Sequence, residues 1–132
     1  MNNRDVGMPF AGLRVMIVED EYLVADDLAR GVRAFGANTV GPVPTLQPAL
    51  DLVRRERIDV AFLDLNLNDL RVFPVADELA QRAIPFAFLT GYERALLPPH
   101  YRDRPHFEKP VLPHALRRVM TELSGAIGMR QP

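Results

Sequence analysis

Residues 61 to 69 read AFLDLNLND, and with Ile58, Asp59 and Val60 before them they form an apolar run that closes on a carboxylate. Val60, Ala61, Phe62 and Leu63 follow one another with no polar alternation. That pattern predicts an inner strand of a parallel sheet, covered by helices on both faces. An ionised carboxylate is rarely buried without a partner, so Asp64 is expected where the strand leaves the core and its oxygens reach water, a metal or a cation.

Strand and helix signals alternate on both sides of this run. LRVMIVED (13 to 20) predicts a strand ending in acids, followed by a helix from about Glu21 to Phe35 that Gly36 stops. NTVGPV (38 to 43) predicts a weak second strand, and Thr45 an N-cap for a helix carrying Leu46, Ala49, Leu50 and Val53 on one face. After the third strand, NLNDLR reads as a loop, and a helix is expected from about Val72 to Arg82 with Pro74 tolerated in its first turn. IPFAFLT (84 to 90) is the fourth strand, HFEK a short fifth, and Leu112 to Ile127 the last helix.

Between the fourth and fifth strands, GYERALLPPHYRDRP leaves room for a turn or two of helix before Pro98 and Pro99. Tyr92 to Pro105 is therefore expected to be weakly held, and to order on activation. The βα alternation predicts a doubly wound α/β fold with a shortened fourth helix. Residues 13–128 are expected to form one domain between tails at 1–12 and 129–132.

Composition narrows the functional classes. At 132 residues the chain suffices for one domain, and its 48% apolar and 25% charged residues are those of an ordinary globular protein. Sixteen Lys and Arg against seventeen Asp and Glu leave no positive field for nucleic acid. With no Cys, disulfide frameworks, Cys-based zinc sites and thiol nucleophiles are excluded. No stretch is apolar enough to insert in a membrane or act as a signal peptide, so a cytoplasmic location is expected.

Ligands of an open parallel sheet bind beyond the carboxyl ends of its strands. The polar residues there are Glu19 and Asp20, Asp64, Thr90 and Lys109. Three converging carboxylates repel one another unless a cation sits among them, and a hard ion with oxygen ligands, Mg²⁺ first and Mn²⁺ second, meets that need. Thr90 and Lys109 add a hydroxyl and a compact positive charge suited to an incoming anion. Asp64 alone would equally serve as a turn cap, and Lys109 alone as a surface lysine. The ordered set at four strand ends separates the readings.

At these residues the sequence resembles the receiver domain of two-component response regulators, of the chemotaxis-protein type, over nearly its whole length. The resemblance rests on VED (18 to 20), FLDLN (62 to 66), Thr90-Gly91 and EKP (108 to 110). It implies a flavodoxin-like (βα)5 fold with strand order 2-1-3-4-5, and Asp64 as phosphoacceptor. It further implies Glu19, Asp20 and the Asn66 carbonyl as metal ligands beside Asp64, Thr90 and Lys109 as phosphoryl-binding or switch residues, and conformational roles for Gly91 and for Pro110 in a cis Lys109-Pro110 bond. Tyr92 and His106 are the candidates for a switch or lid.

FLTGY (88 to 92) and VFPVADEL (72 to 79) further resemble single-domain receivers with a Phe-x-Thr-Gly-Tyr signature, known mainly from alphaproteobacteria and working with an atypical class of sensor histidine kinases. The chain departs from the common pattern at Asn68, where proline is usual, at Val72, where glycine is usual, and at His106, where an aromatic switch residue is usual. The implied partners are a sensor histidine kinase and a downstream protein effector or phosphotransfer protein, with the chain a monomer or weak dimer. It would be no enzyme beyond assisting its own phosphorylation and dephosphorylation. Two other classes remain: an aspartate-nucleophile phosphatase, which usually needs a second Asp where Asn66 stands, and a phosphorylation-independent interaction module of the same fold.

Overall fold

The computed structural model describes residues 9–91 and 97–129, with the side chains of 128 and 129 left aside. The third strand, β3 (Val60–Asp64), is buried at all five positions. It pairs in parallel with β1 (Arg14–Val18) on one side and β6 (Phe86–Thr90) on the other. The edges are β2 (Asn38–Val43), parallel to β1, and β7 (His106–Glu108), parallel to β6. The order β2-β1-β3-β6-β7 is the predicted 2-1-3-4-5 once a small hairpin takes the numbers four and five. That hairpin, β4 (Asn66–Leu67) and β5 (Leu70–Arg71), occupies the stretch expected as a loop. Its turn is built on Asn68 and Asp69, both at positive φ (48° and 68°), a conformation these two residue types tolerate better than most.

Alternate strand residues face two cores, as a period of two requires. On one face Met16, Ala61, Leu63, Phe86 and Phe88 pack against α2 (Leu46–Arg55) and α3 (Phe73–Gln81). On the other, Val15, Ile17, Phe62 and Leu89 meet α1 (Tyr22–Ala34) and α4 (Pro113–Met129). Helix α1 ends before Gly36, whose φ of 91° suits glycine. Thr45 takes the N-cap position of α2, but its hydroxyl makes no capping bond. Phe10 lies within the stretch expected as a tail, yet it is buried and meets Phe35 edge-on. The packed unit therefore begins ahead of Leu13.

A second correction concerns the run expected to be weakly held. Residues 92–96 of it, Tyr92 included, lie outside the described residues. From Leu97 onward the chain is well anchored: Leu97 and Tyr101 are each 3% exposed, Leu97 ahead of a single 3₁₀ turn, Pro99–Tyr101, and Tyr101 its last residue. The Tyr101 ring sits against Phe73, Phe86 and Phe88, and its hydroxyl donates to the Asp77 carboxylate on α3. Arg104 lies over the Phe86 ring at 4.3 Å. Pro98 and Pro99 open this turn, and the helix they were expected to end falls on residues outside the described ones; an aromatic side chain beyond the prolines carries the packing.

Tyr101→Ala is expected to cost about 3–5 kcal/mol in urea unfolding through the cavity it leaves, and Tyr101→Phe about 1 kcal/mol through the lost hydrogen bond. A loss under about 1 kcal/mol for the alanine variant would show that the ring does not hold this segment.

Candidate functional site

The carboxyl ends of β1, β3, β6 and β7 bring Glu19, Asp20, Asp64, Thr90 and Lys109 to one edge of the sheet. Glu19 follows β1, and its backbone N–H donates to the Val43 carbonyl, which fixes the exit of the chain beside β2 (3.1 Å). The Glu19 side chain is fully buried. Its Oε2 accepts from the Glu21 backbone N–H at 3.0 Å, while Oε1 has no well-aligned donor. Asp64, the last residue of β3, is 2% exposed. Of the expected partners, water, a metal or a cation, its carboxylate reaches a cation.

That cation is Lys109. Its Nζ lies 2.8 Å from Glu21 Oε1, 3.1 Å from Glu19 Oε1 and 3.3 Å from Asp64 Oδ2. Burial opposes its charge, but the hydrogen bond to Glu21 and the charges of Asp64 and Glu19 outweigh it and raise the ammonium pKa. The Asp64 pKa rises as well, which for a carboxyl favours the neutral form. Burial, then the contact and negative charge of Glu19, push its carboxyl up to about 8 from 3.8, despite the Lys109 charge and the Asn66 N–H at 3.4 Å from Oδ1.

Glu19, Asp20, Glu21 and Asp64 each offer a carboxylate oxygen, all within 4.8 Å of one another. Glu21 joins this set although the sequence pointed only to Glu19 and Asp20; the third consecutive acid was the available signal. Asp20 is half-buried, and its Oδ2 accepts from the Asn68 backbone N–H at 2.9 Å. Asn66 lies beside the site, its side-chain oxygen accepting from Arg71 at 3.0 Å. Oxygen donors gathered around a buried carboxylate oxygen without an aligned donor fit a hard divalent cation.

Thr90 is buried, with its hydroxyl 3.5 Å from the Phe107 carbonyl. Its own carbonyl accepts from the Lys109 N–H at 3.0 Å, which ties the ends of β6 and β7 together. Gly91 is exposed just beyond, and the Lys109–Pro110 bond is cis. His106 pairs with Phe88 in the sheet and its ring Nδ1 lies 3.4 Å from the Arg104 carbonyl, so it is not brought into the acidic cluster.

Comparison with known proteins agrees with this architecture. The chain is 35% identical to SdrG from Sphingomonas melonis Fr1, whose solution structure matches 88% of this chain and 96% of that one with a TM-score of 0.74. The BeF3-activated conformation of SdrG matches equally well, at 36% identity over 86% of this chain and 98% of that one. Receiver domains of lower identity share the fold, among them that of the sensor histidine kinase PA1611 from Pseudomonas aeruginosa PAO1, which has a magnesium ion in its active site cleft (21% identity, TM-score 0.72, 87% of this chain and 99% of that one). The transcriptional regulatory protein PdtaR of Mycobacterium tuberculosis is 32% identical over 91 residues, 68% of this chain and 44% of its own. The matched stretch spans less than half the length of the curated relatives. No family model matches the sequence. The chain belongs to the receiver-domain family of response regulators.

The raised Asp64 pKa sets a pH dependence. Between about pH 4 and 8 the folded, metal-free site holds a proton that the unfolded chain has released, so stability falls as pH rises through this window. In urea denaturation with EDTA, the parent is expected to be less stable at pH 8 than at pH 5.5. Asp64→Asn should flatten that difference and stabilise the fold most at pH 8. A parent that gains stability over the same interval would contradict the placement of a strained carboxyl here.

Proposed function

We propose that this chain is a phosphorylation-dependent switch of a two-component pathway, in which Asp64 accepts a phosphoryl group from a phosphohistidine on a sensor histidine kinase. The observation that carries the reading is the Lys109 ammonium 3.3 Å from Asp64 Oδ2, beside a set of acids fit for a divalent cation. An Asp64 oxygen attacks phosphorus, the P–N bond to the imidazole breaks, and its electron pair returns to the ring. The chain's own contribution is positioning and charge: Lys109 faces the phosphoryl oxygens, and Thr90 stands at the adjoining strand end to receive one of them.

Glu19, Asp20, Asp64 and the Asn66 carbonyl would hold Mg²⁺, which would neutralise charge on the transferring oxygens; Mn²⁺ suits the same donor set. Binding of the cation must expel the proton that Asp64 keeps in the metal-free site. The catalysis is confined to the chain's own phosphorylation and dephosphorylation, and its output is a changed surface for a protein effector or phosphotransfer protein. FLTGY (88 to 92) and VFPVADEL (72 to 79) support a regulator of the Phe-x-Thr-Gly-Tyr subgroup. A phosphatase of the aspartate-nucleophile type is disfavoured, because Asn66 stands where its acid is needed and is engaged with Arg71.

In the presence of Mg²⁺, beryllofluoride is expected to bind the wild-type chain and to shift the Thr90 and Lys109 amide signals in NMR. Asp64→Asn should lose that response and fall at least a thousandfold in phosphotransfer from a histidine kinase that labels the wild type. A variant that is labelled at the wild-type rate would remove Asp64 as the acceptor.

A further inference from the structure

The ammonium of Lys109 has three N–H donors, and three carboxylates already surround it. A phosphoryl oxygen approaching this cation competes with them for its donors. Glu19 cannot turn to solvent, since its side chain is fully buried, and Asp64, 3% exposed, is the residue being modified. Glu21 is different on every count. It lies nearest to Nζ, at 2.8 Å, yet its side chain is 62% exposed. It occupies the N-cap of α1 without a side-chain capping bond, so releasing its carboxylate leaves the helix start intact.

We infer that Glu21 is a positioning residue that holds Lys109 in the unphosphorylated state, occupying the side of the ammonium that an incoming phosphoryl oxygen must take. The inference rests on Asp64 being the acceptor. Glu21 would then act as a brake, weakening anion capture by competing for the lysine and shortening the lifetime of the acyl phosphate by offering the lysine an alternative partner. Because Glu21 is exposed, solvent weakens its hold on Lys109, which leaves the pair strong enough to tune the site and too weak to block it.

The experiment is a beryllofluoride titration of the full chain at saturating Mg²⁺, comparing wild type with Glu21→Gln and Glu21→Asp and following the Lys109 ε-methylene signal by NMR. Glu21→Gln is expected to tighten beryllofluoride binding about two- to fivefold at low salt, and to shift the ε-methylene signal of the free protein. The gain should shrink at high ionic strength, where exposed charges are screened. Glu21→Asp, shorter by one methylene, should fall between the two. Unchanged or weaker anion binding by Glu21→Gln would overturn the role of Glu21 alone. So would a tenfold loss of Mg²⁺ affinity, which would make Glu21 a metal ligand instead, or a Glu21→Asp variant identical to wild type, which would leave only a long-range charge effect. Failure of the wild type itself to bind beryllofluoride would overturn the acceptor reading, and this inference with it.

Discussion

Among the described residues, the ammonium of Lys109 is the one positive charge set directly among Glu19, Glu21 and Asp64, and the site depends on it. A buried carboxylate beside another is costly without a cation, and the metal-free protein meets that cost in two ways. Lys109 supplies a charge, and the raised Asp64 pKa supplies a proton. Neither is complete compensation, since Glu19 Oε1 still lacks an aligned donor. A site left short of positive charge in this manner fits a divalent ion.

The same crowding explains why the strand ends are tied so closely. The Lys109 N–H is held by the Thr90 carbonyl, Glu19 by the Val43 carbonyl, and Asp20 by the Asn68 N–H. The last of these makes sense of a departure from the family's common pattern. A proline at position 68 would lack the N–H that Asp20 accepts, and its fixed φ near −65° would exclude the positive φ found there. Asparagine allows both, and the turn closes into the β4–β5 hairpin. The substitution therefore exchanges a rigid ring for a hydrogen bond to an acid of the site.

Much of this was legible because period and punctuation are local. Unbroken apolar runs at 15–18, 60–63 and 86–89 announced buried strands, and polar residues at their carboxyl ends announced the site. What escaped was set by tertiary contact. The burial of Asp64 depends on Glu19 and Lys109 closing over it, and the place of Glu21 on how far a lysine 88 residues away can reach. The hairpin needed backbone conformations that sequence marks only faintly, and the anchoring of Tyr101 needed three phenylalanines from two other elements. Phe10 was passed over because a lone aromatic ahead of the first strand has no period to reveal it.

The placement of Thr90 shows how a local event at Asp64 could spread. Its hydroxyl is turned to the Phe107 carbonyl across a long 3.5 Å contact, a weak hold that a phosphoryl oxygen would readily replace. Phe107 and Lys109 belong to the same short segment, so drawing Thr90 inward loosens one tie to that segment while the phosphoryl group tightens another through the lysine. Phe88 is two residues before Thr90 and points to the same face of the sheet, where it touches Tyr101. Tyr101 is buried there and bonded to Asp77, so the contact is closely packed. The strand end at the site is thus packed through Phe88 and Tyr101 onto α3, and tied through Thr90 to β7, without an aromatic residue at position 106.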